Sequence, residues 1–145
     1  MLRIGQGQTY QQNTQKKAVG FGLSNMEWGR ELRKIGSIAT HDGNKVAYRE
    51  ALINRAKELV TPDLEKGNFI GAYEDADRMH AIGIRRMFLA SKKEDMVAFN
   101  NADAISGAAQ RVIDHVQSVG RKSDEFARFL FDKARATVLK GSKSL

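Results

Sequence analysis

The sequence predicts an all-α protein of four or five helices preceded by an extended, Gln- and Gly-rich arm. Three observations carry that expectation. Between residues 98 and 119, apolar side chains return at alternating steps of four and three, at Ala98, Ala102, Ile105, Ala109, Val112, Val116 and Val119, which is the spacing of one helix face. The apolar content is 41% of the chain with only 8% aromatic, and residues of that kind pack helix on helix more readily than sheet on sheet. The chain has a single proline and no run of β-branched residues alternating with polar ones, so no segment reads as a strand.

Taken in order, residues 1–23 contain no acid and are dominated by Gln and Gly, a composition that cannot build a core alone. The segment reads either as a disordered tail or as an arm that orders on a neighbouring subunit. The spaced anchors Leu2, Ile4, Tyr10, Val19, Phe21 and Leu23 favour the arm. Residues 24–140 read as one helical domain, and 141–145 as a frayed tail.

Ser24 and Glu27 have the spacing of a capping box, so a helix is expected to start there, with Trp28, Leu32, Ile35 and Ile38 or Ala39 on one face. His41-Asp42-Gly43-Asn44 supplies turn chemistry. A second helix is expected over 45–60, burying Val46, Ala47, Leu52, Ile53, Ala56, Leu59 and Val60. Thr61-Pro62-Asp63 reads as a cap followed by proline in the first turn of a third helix, which continues through Ile70, Tyr73, Ala76, His80, Ile84 and Met87. Gly67-x-x-x-Gly71 reads as a site of tight helix crossing.

Five polar residues, Ser91 to Asp95, interrupt the apolar rhythm, and Ser91 with Glu94 matches a second capping box, so a break is placed there. An unbroken helix from about residue 68 to 119 would be roughly 75 Å long at 1.5 Å per residue, too long for a compact domain. The face from 98 to 119 is broadened by Phe99, Ala108 and Ile113, so it calls for more than one neighbour, and its Ala98-to-Val119 seam is assigned to contact between subunits. Gly120 closes this helix, and Ser123-Asp124-Glu125 opens the last, with Phe126, Phe129, Leu130, Ala134, Thr137 and Val138 as its buried stripe.

The formal net charge is +7 and is unevenly placed. Residues 1–60 carry ten basic and five acidic side chains, 61–120 seven and nine, and 121–145 seven and three. Basic ends suit an anionic partner or serve solubility alone. The residues assigned to such a partner are Lys16 and Lys17 in the arm with Arg128, Lys133 and Arg135 in the last helix; Arg30, Arg33 and Lys34 could also neutralise phosphates. No zinc-finger, RNA-recognition or homeodomain signature is present, and a helix-turn-helix within 45–80 stays open.

Signals for chemistry are sparse. With no cysteine, disulfides and thiolate metal sites are excluded. Of the three histidines, His41 and His115 each adjoin an acid, and only His80 shares a helix face with one, Asp77; Glu74 or Tyr73 could complete a divalent-metal site, but no second ligand pair follows. Gly5-Gln6-Gly7 lacks the strand, the helix and the Lys of a phosphate loop. The reading is therefore non-enzymatic, without metal or cofactor. No apolar run exceeds four residues, Met87 to Ala90 among them, so no transmembrane helix is expected, and no signal-peptide core follows the amino terminus; a soluble, cytoplasmic protein is the default expectation.

In this layout of an Ala-rich helical seam, basic ends and a Gln- and Gly-rich arm, the chain resembles small helical virion proteins of tailed bacteriophages, either of the head-to-tail connector or of the internal proteins ejected with the genome. The resemblance lies in the layout and matches no motif, so it assigns no site residues. It implies a ring-forming homo-oligomer in the virion, other assembly proteins as partners and contact with passing DNA. The expected function is thus a structural or assembly subunit, the alternative a small basic nucleic-acid-binding protein.

Overall fold

A computed structural model describes residues 22–42 and 45–144, which form five helices, with no strand among the described residues. These are α1 (Asn25–Asp42), α2 (Lys45–Glu65), α3 (Phe69–Lys92), α4 (Met96–Val119) and α5 (Asp124–Ser144). The first 21 residues, and with them Lys16, Lys17 and most of the expected arm, lie outside the described residues. Helical backbone in α5 continues through 141–144, where a frayed end was expected.

The capping box of α1 forms as spaced. The Ser24 amide donates to Glu27 Oε1 at 2.9 Å, and the Glu27 amide donates to Ser24 Oγ at 3.1 Å. Trp28, Leu32 and Ile35 then bury one face, and the Trp28 indole N–H donates to the Asp75 carbonyl at 3.1 Å, which makes the sole tryptophan a core residue. Glu31 ties α1 to α2: Arg55 Nε and Nη2 reach its two carboxylate oxygens at 2.8 and 3.2 Å. That hydrogen-bonded pair holds the Glu31 carboxyl below its ordinary range despite partial burial.

The expected boundary at Thr61-Pro62-Asp63 is corrected. Helix α2 runs through the proline to Glu65. So close to the helix end, the missing proline amide removes a single bond, the one to the Glu58 carbonyl, and the Thr61 hydroxyl adds a bond of its own to the Lys57 carbonyl at 2.6 Å. The stop lies at Gly67, whose φ of +78° is left-handed. The Gly67 amide donates to the Leu64 carbonyl at 3.1 Å and the Asn68 amide to the Asp63 carbonyl at 2.8 Å, the two bonds of a Schellman stop. A Cβ added to Gly67 would meet nothing within 4 Å, so Gly67-x-x-x-Gly71 is a helix stop and not a crossing. Asn68 caps α3 by accepting from the Gly71 amide at 3.0 Å.

The break between α3 and α4 falls where expected but is made by other residues. Ser91 belongs to α3, and Glu94 takes the left-handed position at φ 55°. The Glu94 amide donates to Ser91 and the Asp95 amide to Ala90, at 3.1 and 2.9 Å, and the Asp95 carboxylate caps α4 by accepting from Ala98 at 3.0 Å.

Helices α3 and α4 form the most extensive pairing, with α2 lying across both and α1 across α2 and α3. Their closest approach is at Gly83, where an added Cβ would sit 2.7 Å from the Ser106 amide nitrogen and 3.0 Å from its Cα. This crossing sets which face of α3 is buried. Ala72, Ala76, Met79, Gly83 and Ala90 face inward, while Ile84 is 47% exposed, so the buried stripe is rotated from the one the large apolar residues suggest. In α2, Val46 is likewise exposed and Tyr48 is the first core residue.

The width of the α4 face is accounted for within the chain. Ala102, Ile105, Ala109, Val112 and Val116 are buried against α2 and α3, and of the seven seam positions only Ala98 and Val119 are exposed. Five of the residues assigned to contact between subunits are thus core residues of one subunit, because two intrachain helices cover the face.

Candidate docking surface on the last helix

Helix α5 starts as its sequence dictates. Ser123 Oγ accepts from the Phe126 amide at 3.2 Å, and acids occupy the first turn. Phe126 is buried among Phe69, Tyr73 and Phe129, with ring centroids 5.9, 6.1 and 6.2 Å away. Tyr73 meets Phe129 edge-on at 5.6 Å. Burial, reinforced by Asp77, pushes the Tyr73 phenol above its ordinary value. Gly120 is required by this clasp: a Cβ there would come within 2.8 Å of both Phe69 and Phe126. The last tie to the body is Lys133, 3.8 Å from Asp77 and 6.0 Å from the centre of the Tyr73 ring.

Beyond this root, α5 has no cover among the described residues. Every residue from Phe131 to Gly141 is exposed. The expected buried stripe is therefore corrected: Phe126 is buried and Phe129 and Leu130 are half-buried, but Ala134, Thr137 and Val138 face solvent. A second stripe runs beside the first at steps of four, three and four, through Ala127, Phe131, Ala134 and Val138, with Phe131 66% and Val138 69% exposed. The signal for it was the run Phe129-Leu130-Phe131, three large apolar residues that cannot share one helix face.

The cations assigned to an anionic partner separate. Arg128 and Arg135 are exposed, one heptad or about two turns apart along the edge of this stripe, while Lys133 turns inward to Asp77. Lys16 and Lys17 lie outside the described residues.

A second exposed apolar surface occupies the turn between α3 and α4, where Phe88, Leu89, Met96 and Val97 face solvent and the Lys92 ammonium lies 5.0 Å from the Phe88 ring centre. It sits toward the opposite end of α3 from the α5 clasp, about 28 Å along the helix from Phe69 to Phe88 at 1.5 Å per residue.

The acid and base candidates do not converge. Asp77 has Lys133 as its charge partner, and the half-buried His115 has its pKa lowered by burial and then by Lys57. Among the described residues no three His, Asp or Glu side chains are grouped so as to hold a metal, and no helix is long and apolar enough to cross a membrane. No family model matches this chain, and neither does any curated protein or solved structure.

Proposed function

We propose that this protein is a non-enzymatic assembly subunit that joins copies of itself, with the outer half of α5 as its docking element. The observation that carries the reading is a helix rooted by four aromatic rings whose remaining length presents Phe131, Ala134 and Val138 to solvent. Large apolar side chains regularly spaced on one exposed face mark an interaction site. The Phe88–Val97 turn offers a second such surface. Two different apolar surfaces on one chain are what a head-to-tail repeat needs, each meeting the other on the next copy, and such a repeat closes into a ring or runs into a filament. Placement in a phage virion rests on the resemblance in sequence layout.

Mixing two variants tests this. Phe131→Asp with Val138→Asp disables the helix, and Phe88→Asp with Val97→Asp disables the turn. Each variant alone should be monomeric by light scattering, and the two together should form capped dimers, each supplying the surface the other lacks. A wild-type chain that stays monomeric at every concentration refutes the proposal.

A second reading, nucleic-acid binding, is favoured by one observation: Arg128 and Arg135 are exposed with no hydrogen-bond or ion-pair partner among the described residues. In that case Arg128→Ala and Arg135→Ala should each lower the salt slope of DNA binding by about one unit.

A further inference from the structure

A groove of about 620 Å³ opens between α1 and the end of the α3–α4 hairpin, within the size range of small-molecule sites. Its floor is apolar, with Leu32, Ala90, Ala102 and Ile105, and its α1 wall is cut back at Gly29, where an added Cβ would meet nothing within 4 Å. Arg33, Arg86 and Lys93 line it, and none of their side chains has a hydrogen-bond or ion-pair partner among the described residues. The one acid in the lining, Asp95, already caps α4. Tyr48 also lines the groove; it is 4% exposed, and its hydroxyl has no hydrogen-bond partner among the described residues. A buried hydroxyl without a partner is costly, so one with cations around it calls for an acceptor from outside the fold. Burial pushes the phenol up and the nearby Arg86 draws it back, so at neutral pH it is a donor.

We infer that this groove binds a small organic oxyanion, a carboxylate or phosphate carried on an apolar body. The anionic head pairs with the arginines and accepts from Tyr48, and the apolar body lies over the floor. The residues 1–21 are a poor occupant by charge, since they hold Arg3, Lys16 and Lys17 and no acid.

Calorimetric titration with dodecanoate and dodecyl phosphate tests the site, with dodecylammonium as the tail of opposite charge and inorganic phosphate as the head without a tail. Both anionic amphiphiles should bind with Kd below about 100 μM, and the two controls should bind at least tenfold more weakly. Whichever anion binds more tightly identifies the preferred head. Arg86→Glu should weaken binding at least about tenfold and Tyr48→Phe about five- to tenfold. Gly29→Leu should abolish binding by filling the groove while leaving the helix at least as stable. Arg121→Glu, in the turn before α5, makes the same change in net charge and should leave the Kd unaltered. Equal binding of dodecylammonium, indifference to both Arg86→Glu and Gly29→Leu, an equal loss in Arg121→Glu, or no binding of either anion overturns the inference.

Discussion

Asp75 is the residue with the most constraints on it. Its side chain is 3% exposed, yet it accepts from the Leu23 amide at 2.9 Å and lies 3.4 Å from Arg78, which also donates to the Leu23 carbonyl at 2.7 Å. Gly22, at φ +67°, packs directly on this carboxylate, so a side chain there would be both strained and blocked. The result is a latch between the start of the described chain and α3. Burial raises the Asp75 carboxyl from its ordinary 3.8 to about 6, against the opposing bond from Leu23. The folded state therefore holds this proton longer than the unfolded chain. Stability from this group is full below pH 4 and is lost as pH rises to 6, by up to about 3 kcal/mol. Denaturant titrations of the wild type from pH 4 to 7 should show that fall and those of Asp75→Asn should not; parallel profiles would remove Asp75 as the cause. Glu31 acts in the opposite sense: its lowered pKa contributes stability at neutral pH that fades as pH falls through the acidic range, and Arg55→Ala should erase that dependence.

At the level of elements, helix number, the α3–α4 break and three of the helix starts were legible because they rest on local chemistry: caps at Ser24 and Ser123, turn residues, and the four-three rhythm of α4. The α2–α3 boundary was misplaced because Thr-Pro-Asp fits a helix start as well as a last turn, and only the Schellman bonds at Gly67 separate the two. The buried face of α3 was missed for a different reason. Apolar size pointed to Ile84 and Met87, whereas close approach of two helices selects small residues, and Gly83 against Ser106 is a long-range fact. Gly83→Ala should therefore destabilise the protein by about 1–3 kcal/mol, although alanine is the better helix former, because the added methyl meets backbone that cannot step aside. At Glu94 the expectation is reversed. Glu94→Gly should raise stability by roughly 0.5–1 kcal/mol by relieving a left-handed non-glycine residue at the stop of α3. Thermal melts of the two variants would settle both signs. On α5, the exposure of Arg128 and Arg135 was legible, but the outward apolar stripe was not, since sequence period alone does not tell how far along a helix its neighbour extends.

The described residues divide into a bundle closed by the α5 root and an outer length of α5 whose residues are exposed from Phe131 to Gly141. On the proposed reading, this division separates stability from assembly. A chain ending at Lys133 retains the aromatic clasp and the Asp77 contact, so its unfolding free energy should stay within about 0.5 kcal/mol of the intact protein at concentrations where both are monomeric. The same truncation removes Ala134 and Val138 from the outer stripe and should abolish self-association. Phe126→Ala should do the reverse at first: it empties the clasp at a cost of about 3–5 kcal/mol while leaving Phe131 and Val138 in place. Denaturation and sedimentation on these two variants give four numbers that must pair crosswise if α5 has two jobs. If the shortened chain loses stability in step with association, the outer half of α5 belongs to the fold and the docking surface lies elsewhere.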